Sequence, residues 1–372
     1  MLNLDFTDEQ NMLREMVAGL CAQYATVEQV REMEDHPVGY SVEFWKQLGE
    51  LGVLGMTIPE EFGGSGMTMI EGVVVYEEFG KSLAPTPHLA SAVVSGAAIS
   101  TGGSAEQKSA WLAGIASGDK IVVPAWSEPN NGQGPLGVQM RAGSTEDSTT
   151  VTGVKQHVYF ASSADALLVL ARTGDAPEAV DLFLVDPSGA GVELEQKMSI
   201  SSDTQYTVTF DGAAAERVGA GGSGWATWER AMVDAMILAA AYANGGCEHA
   251  LDITVEYSKD RYQFGKALAE FQALSHNMAD AKTVLDGSKI LNYEAAWAHS
   301  EGRDATKLAA MSKLFACNSY RDTTAMAQQI FGGVGFTLEY EIQLYFRRAK
   351  QLQITWNDTR RCEEIIAAAV LD

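Results

Sequence analysis

The sequence predicts a mainly α-helical protein with a central β-domain. Helical periodicity runs to about residue 119, short β-type runs separated by turn residues follow, and long helical patterns return from Trp225. We therefore place an N-terminal helical domain at 1–119, a middle β-domain at 120–218 and a C-terminal helical bundle at 225–372. With 372 residues the chain is long enough for two or three structural units with a sizeable core.

The N-terminal region is predicted as a series of helices. Thr7 and Gln10 form a capping-box pair ahead of the first helix, because each side chain can satisfy a free backbone amide. A loop is expected at 59–66, since three glycines within four residues are incompatible with regular structure. Further helices are predicted at 44–54, 67–83, 86–100 and 105–117.

The middle region changes from helical periodicity to short alternating or apolar runs. Six or more short strands without helices between them favour a small antiparallel barrel or sandwich. The glycine-rich stretch 219–224 is read as a domain boundary, because it lacks the lysine of a phosphate-binding P-loop. The predicted strands lie at 121–125, 151–154, 166–171, 180–185, 191–194 and 207–210.

The C-terminal region contains long helical patterns that end at glycine or polar turns. The pair Gly332-Gly333 is a natural helix stop, because glycine adopts the left-handed conformation that terminates helices. Helices are predicted at 225–243, 248–259, 271–300, 305–330, 341–353 and 361–370.

The chain is strongly acidic, with a formal net charge of −23. Nucleic acids and anionic membranes bind positive surface, so we expect neither as a partner, and the charge has a plain solubilising role. Four cysteines lie far apart without a C-x-x-C pair, which disfavours zinc or disulfides and fits reduced thiols in the cytoplasm. The N-terminus lacks a signal-peptide pattern, and no run of about 18 apolar residues is present.

Several motifs occur along nearly the whole chain in one order. Together they resemble the acyl-CoA dehydrogenase family, whose fold has an N-terminal helical domain, a middle antiparallel β-barrel and a C-terminal four-helix bundle. Each motif is weak alone, and the ordered set is specific. The motifs are Pro59-Glu60-Glu61-Phe62-Gly63-Gly64, Glu77-Glu78-Phe79-Gly80, Trp126-Ser127-Glu128-Pro129, Arg261 with Phe264-Gly265, Phe271-Gln272, Gln329 with Gly332-Gly333, and Arg347-Arg348-Ala349-Lys350.

The resemblance implies an FAD site shared across a subunit interface, and hence at least a dimer. Arg261 can bind the FAD pyrophosphate through a charge-assisted fork, and the Gly332–Gly333 backbone can approach the cofactor closely because it has no Cβ. Without the resemblance, the favoured interpretations are a surface ion pair for Arg261 and a helix cap for the glycine pair. The predicted cofactor-binding residues are Trp126, Ser127, His157, Arg261, Phe264, Gln272, Gln329, Gly332 and Gly333.

The catalytic base of the family has no counterpart here. The family's reaction removes the α-proton of an acyl-CoA with a glutamate while a hydride leaves the β-carbon for the flavin. One family position for that glutamate, after the Arg-x-Ala-Lys segment, corresponds to Trp356, or to Asn357 with a one-residue shift. The other, 29 residues before Phe264, corresponds to Ala235 (264 − 29 = 235). None of these side chains is a base, so the catalytic residue is unassigned.

The flavin-facing strand motifs are also altered. The family's Gly-Ser-Asp is replaced by Asn130-Asn131-Gly132-Gln133-Gly134, and its Trp-Ile-Thr by His157-Val158-Tyr159. His157 is either a hydrogen-bonding partner of flavin or substrate, or a structural histidine.

Three functional hypotheses follow. Segments 336–339 and 344–349 resemble the branch that acts on bulky substrates such as steroid side chains, whose members often form α2β2 heterotetramers in which one chain carries the glutamate. This chain resembles the partner that lacks the base, with an acyl-CoA substrate and electron-transfer flavoprotein as the expected redox partner. The second hypothesis is a self-sufficient homomeric flavoenzyme that uses Asp234 or Glu339, although Asp234 would point about 100° away from Ala235. The third is a non-catalytic scaffold on the same fold.

Overall fold

In the computed structural model, residues 5–129, 132–144 and 148–371 are described. Along the chain, helices precede and follow a middle β region. The predicted fold class, a mainly α-helical protein with a central β-domain, is confirmed. Asn130 and Asn131, the first two residues of the segment that replaces the family's Gly-Ser-Asp, lie outside the described residues. Thr7 and Gln10 form the predicted capping box, with 3.0 and 3.2 Å hydrogen bonds. The helices are α1 (Asp8–Tyr24), α2 (Val27–Glu32), α3 (Val42–Glu50), α4 (Met69–Lys81), a π-helix (Leu89–Ser95), α5 (Gly96–Gly102), α6 (Ala105–Ser117), α7 (Gly224–Asp260), α8 (Gln272–Ser300), α9 (Thr306–Phe331), α10 (Ile342–Ile354) and α11 (Thr359–Leu371).

The β region forms one mixed sheet whose strand order is β6-β7-β3-β2-β4-β5-β8, with β1 paired to β4. The β1–β4 and β2–β4 pairs are parallel and the other pairs are antiparallel, so the sheet is mixed rather than wholly antiparallel as predicted. Strands β4 and β5 are buried along their whole length. The strands are β1 (Val122–Ala125), β2 (Arg141–Ser144), β3 (Thr149–Tyr159), β4 (Ala166–Arg172), β5 (Val180–Val185), β6 (Val192–Lys197), β7 (Gln205–Ala214) and β8 (Glu216–Arg217).

The chain divides into two compact units, which we describe separately. The first comprises the chain through Val30, Thr68–Ala84 and Met236 onward, and the second comprises Arg31–Met67 with Pro85–Ala235. In the first unit, a core cluster of Leu251, Met278 and Ile330 joins α7, α8 and α9. The sequence-based boundaries at 119, 120–218 and 225 stay predictions.

Helix α7 corrects the prediction of two separate segments at 225–243 and 248–259. The helix is continuous through Gly245 and Gly246, because these glycines are contact points rather than breaks. A Cβ at Gly245 would overlap the backbone of Glu77 on α4, and one at Gly246 would lie 2.5 Å from the Tyr320 hydroxyl on α9. A Cβ at Gly80 would likewise overlap the α7 backbone. Three helices therefore approach each other at glycine.

Replacing Gly245 with alanine is expected to lower the free energy of unfolding by about 2–3 kcal/mol, because the added methyl group meets rigid backbone. The matched control is Gly287→Ala on α8, where the nearest atom lies 3.7 Å from the added Cβ. That control should raise stability by about 0.5–1 kcal/mol through helix propensity. Urea denaturation measures both, and equal effects would contradict the close-packing account.

The four cysteines are free thiols, and all four are buried. Burial raises the pKa of Cys21 and Cys247 to about 12 and that of Cys362 to about 11. Burial also raises the pKa of Cys317. Among the described residues, none of the helices is both long enough and apolar enough to cross a bilayer.

These thiols predict a loss of stability at alkaline pH. Above pH 9, the ordinary thiol pKa, the unfolded state releases protons that the folded state retains. The stabilisation is complete below pH 9 and declines as pH rises towards 12, by up to about 1.4 kcal/mol per pH unit for each thiol. Cys247→Ala should make the fall of the unfolding free energy between pH 9.5 and 11 less steep, by the contribution of one thiol. Urea denaturation at each pH measures this slope. Between pH 6 and 8 the variant should differ from the parent only by a constant offset; an unchanged alkaline slope would contradict the account.

Candidate functional site

The end of α7 carries a tight hairpin that exposes an aromatic side chain. Strands β9 (Tyr262–Gln263) and β10 (Lys266–Ala267) pair antiparallel around the turn Phe264-Gly265. Both turn residues have positive φ, 53° and 84°, which is type I′ geometry. Phe264 is 94% exposed, and Arg261 at the start of the hairpin is also exposed. Both predicted site residues are therefore accessible.

Arg261 lines an open pocket of about 470 Å³ with an aromatic wall. Tyr257 stacks on Phe331 with ring centroids 4.1 Å apart, and Tyr340 packs edge-on against both rings. Among the described residues, no carboxylate lies within ion-pair distance of the Arg261 guanidinium, so the predicted alternative of a surface ion pair is not observed. The guanidinium is free to bind an anion beside an aromatic surface.

Three carboxylates also line this pocket, at Glu256, Asp260 and Glu341. Glu256 accepts a 2.5 Å hydrogen bond from Lys259, and Glu341 lies 3.1 Å from the His249 ring. The Lys259 ammonium offsets part of the negative charge that would otherwise repel a phosphate. The pocket thus has one unpaired guanidinium among partly compensated acids.

The glycine turn that follows α9 has open space around it. Gly332 has φ 66° and ψ −143°, a backbone conformation essentially restricted to glycine. No atom lies within 4 Å of a Cβ built on Gly332 or Gly333, and both residues are exposed. A ligand can therefore approach the backbone of this turn closely.

Gln328 is an unusual buried side chain beneath this turn. It is 6% exposed, and neither amide atom has a hydrogen-bond partner in the described part of the chain. A Cβ built on Gly335 would lie 2.5 Å from Gln328 Oε1, which places the amide against the glycine turn. Buried polar groups are normally satisfied, so this amide indicates that the turn has a further polar partner.

The two predicted glutamines lie on the α8–α9 side of this unit. Gln329 lines a second groove of about 430 Å³, whose wall includes Leu274, Phe315 and Met326. Gln272 is the first residue of α8 and is exposed. Both Arg261 and Gln329 are exposed, but Arg261 lines the first pocket and Gln329 lines the second groove.

In the second unit, the segment after β1 is fixed by a buried ion pair. Lys155 is fully buried on β3, and its Nζ lies 2.7 Å from Glu128 Oε1 and 3.4 Å from the Trp126 carbonyl. Glu128 also accepts the Gln139 backbone N–H at 2.9 Å. Burial lowers the pKa of Lys155 to about 8, although Glu128 favours the charged form. The Ser127 carbonyl accepts the N–H of the residue that follows Lys155 at 2.8 Å.

Trp126 and His157 are the other predicted residues of this unit. The Trp126 ring packs against Trp228, with centroids 5.7 Å apart. His157 is exposed and has φ 56°, and its Nδ1 lies 2.8 Å from Gln205 Oε1. Trp126, Ser127 and His157 are thus joined through β3 and its buried ion pair.

Neither family position for the base holds an acid. Trp356 is 5% exposed, Asn357 is 7% exposed and Ala235 is fully buried. Asn357 Nδ2 lies 3.5 Å from the sulfur of Met236, the residue after Ala235. Trp356 and Asn357 have φ of 53° and 66°. Of the alternative acids, Asp234 is half-buried and Glu339 is exposed.

The loop that contains Trp356 is held by a buried lysine. Lys313 Nζ donates to the Leu352 carbonyl at 2.7 Å and to the Asn357 carbonyl at 3.4 Å. Asp358 accepts the Arg361 N–H at 2.8 Å at the start of α11 and is therefore engaged in helix capping. The acid that follows Trp356 and Asn357 in sequence thus has a structural role.

Three domain models match the chain: "Acyl-CoA dehydrogenase, N-terminal domain" at 7–119, "middle domain" at 124–213 and "C-terminal domain" at 222–371. The chain belongs to the acyl-CoA dehydrogenase family. The predicted enzyme class, an FAD-dependent oxidoreductase acting on CH–CH donors, and the predicted FAD cofactor are confirmed.

Relatives support the same assignment. A probable acyl-CoA dehydrogenase, YngJ of Bacillus subtilis, is 31% identical over 95% of both chains. Butyryl-CoA dehydrogenase from Megasphaera elsdenii is 27% identical over the whole of both chains, with a TM-score of 0.92. A chain of the ChsE4–ChsE5 complex from Mycobacterium tuberculosis is 26% identical with a TM-score of 0.89, and the match covers 100% of this chain and 99% of that one.

The residues of the first unit fit an FAD. A pyrophosphate needs a free cation and close backbone approach, which Arg261 and the Gly332–Gly333 turn offer, and the unsatisfied Gln328 amide lies beside that turn. The sequence did not reveal the aromatic wall of Tyr257, Phe331 and Tyr340. Tyr257 precedes Arg261 by one helical turn, and that spacing was the available signal.

Replacing Lys155 with methionine should lower stability by about 3–5 kcal/mol, because the buried Glu128 carboxylate loses its cation. The double variant Lys155→Met/Glu128→Gln should recover a large part of that loss. The control is Lys197→Met, which removes the exposed Lys197–Glu195 pair and should cost less than about 1 kcal/mol. Chemical denaturation measures the free energy of unfolding of all three variants. Equal losses for Lys155→Met and Lys197→Met would contradict the structural role given to the buried Lys155–Glu128 pair.

Proposed function

We propose that this chain is a subunit of an FAD-dependent acyl-CoA dehydrogenase whose base resides on a second, related chain. The observation that carries the proposal is the pair of family base positions. One holds a buried tryptophan and the other a buried alanine, and the loop around Trp356 is fixed by Lys313. Removal of an α-proton needs a carboxylate or another base at the substrate.

In this proposal the chain contributes cofactor contacts. Arg261 binds the FAD pyrophosphate, the Gly332–Gly333 turn gives its backbone to the cofactor, and Phe264, Gln272 and Gln329 complete the contacts from across an interface. Trp126, Ser127 and His157 face the isoalloxazine. When bound, FAD supplies the acceptor for the hydride that leaves the substrate β-carbon.

A related acyl-CoA dehydrogenase chain is the proposed partner, in an α2β2 heterotetramer. The matched ChsE4–ChsE5 structure is a complex of two named chains, which supports a heteromer. Phe264 is 94% exposed and Leu338 is 72% exposed, so each offers an apolar side chain to a second subunit. We further propose a bulky acyl-CoA, such as a steroid side-chain thioester, as substrate, electron-transfer flavoprotein as electron acceptor, and a cytoplasmic location.

A self-sufficient enzyme is the second candidate, and Asp234 is the residue that favours it. Asp234 is half-buried and directly precedes Ala235 in α7. Glu339 is the weaker candidate base, because its side chain is exposed to solvent rather than enclosed at a substrate site. A chain that binds no FAD in any combination would indicate the scaffold function instead.

Replacing Arg261 with methionine in the co-expressed complex should raise the dissociation constant for FAD by about 10- to 100-fold, through loss of a charge-assisted contact. Flavin absorbance after ultrafiltration measures the bound fraction. Arg360→Met is the control, because Arg360 pairs with Glu364 of its own helix, one turn away. Full flavin retention in Arg261→Met would contradict the proposed cofactor site.

A further inference from the structure

We propose that His157 presents a neutral imidazole nitrogen, Nε2, as a hydrogen-bond acceptor, and that this acceptor favours the reduced form of FAD. The inference rests on the proposed function, in which His157 faces the isoalloxazine. It adds a chemical role that follows from the contacts of the other ring nitrogen, Nδ1.

The backbone at His157 directs this side chain outward. Pairing between β3 and β7 shifts between Lys155 and Val158, so Gln156 and His157 together oppose the single residue Thr207. Such a β-bulge re-aims a side chain, and bulges are common beside active sites. The φ of 56° costs a residue other than glycine on the order of 1–3 kcal/mol. A histidine with only a packing role would be buried, whereas His157 is exposed.

The protonated nitrogen of His157 follows from a relay of two hydrogen bonds, between Asp203 and Gln205 and between Gln205 and His157. Asp203 accepts hydrogen bonds from Ser199 and Ser201 through Oδ1 and from Gln205 through Oδ2, at 2.7 Å for the last. An ionised carboxylate only accepts, so the Gln205 NH2 group must face Asp203. The Gln205 carbonyl oxygen consequently faces His157.

That carbonyl oxygen lies 2.8 Å from His157 Nδ1 and can only accept. Nδ1 must therefore carry the proton, and in the neutral ring Nε2 has the lone pair. Gln205 is 5% exposed, and its Nε2 also donates to the Tyr159 hydroxyl at 3.3 Å. The relay Asp203–Gln205–His157 thus fixes one tautomer of an exposed imidazole.

An acceptor at the flavin needs a donor. Bound FAD would supply N5 as the hydride acceptor, where the oxidised ring has no hydrogen and the reduced ring carries N5–H. A neutral His157 Nε2 placed at N5 would therefore accept a hydrogen bond from the reduced cofactor and none from N5 of the oxidised one. His157 is in this sense a catalytic contact that stabilises the product form of the cofactor.

The tautomer is tested on the chain labelled with 15N-histidine, in a long-range 1H–15N correlation spectrum at pH 8. The chain has six histidines, and His157→Phe identifies the signal. We expect a protonated Nδ1 and an unprotonated Nε2. In Asp203→Asn, whose amide can face Gln205 in either orientation, the preference between tautomers should fall at least tenfold. Asp211→Asn, an exposed aspartate on the same strand β7, should leave it unchanged. An Nε2–H tautomer or an imidazolium in the parent chain overturns the proposal.

The flavin contact is tested by the midpoint potential of FAD bound to the co-expressed complex. His157→Phe should lower the ratio of affinities for reduced and oxidised FAD about tenfold, a shift of about 30 mV for this two-electron couple. His157→Gln, which keeps an acceptor oxygen, should recover most of the shift. An unchanged potential in His157→Phe overturns the flavin contact. Absence of FAD from every preparation contradicts the proposed function and the contact together, while the tautomer spectrum still decides the relay.

Discussion

The close approach of three helices at glycine is the constraint on which the first unit depends. Gly80 on α4 and Gly245 and Gly246 on α7 bring backbone against backbone and against Tyr320 of α9. This packing fixes α7 relative to α9 at their middle. Farther along the same two helices, Tyr257 and Phe331 stack at 4.1 Å. Arg261 and the glycine turn are therefore placed by packing that begins several helical turns away.

The second unit uses a different device, a buried ion pair, to hold the segment that follows β1. A fully buried lysine bridges Glu128 and the Trp126 carbonyl, and backbone pairing ties Ser127 to the same strand. Two residues farther along β3, the backbone bulges and exposes His157. Buried charge and strained backbone both cost stability, and their presence together at one strand favours a functional rather than a purely structural explanation.

Much of the fold could be predicted from local pattern. Helix α6 (Ala105–Ser117) was predicted to the residue, because a serine cap and a glycine stop frame it. Strand β3 was predicted too short, because its extension through Tyr159 depends on pairing with β7 and on the distant Glu128. Strand β2 was missed, since its residues have low strand propensity and only their neighbours hold them in the sheet.

The candidate site likewise contains residues that motifs predicted and contacts that the sequence did not show. Arg261, Phe264 and the glycine pair were predicted by motif, as was the absence of an acid at Trp356. The pocket wall at Phe331 and the relay through Gln205 could not be identified, because each joins residues far apart in sequence. A glutamine at the start of a strand has no local feature that assigns it to a histidine 48 positions earlier.

The central claim is that this chain contributes to a flavin site without contributing the base. The most direct measurement is the visible spectrum in the presence of FAD during anaerobic addition of an acyl-CoA, recorded first for the chain alone and then for its complex with the co-expressed acyl-CoA dehydrogenase chain. The account predicts that the flavin band persists in the chain alone and bleaches in the complex. Bleaching of the chain alone, abolished by Asp234→Asn or Glu339→Gln, would show that a base lies on this polypeptide and would contradict the account.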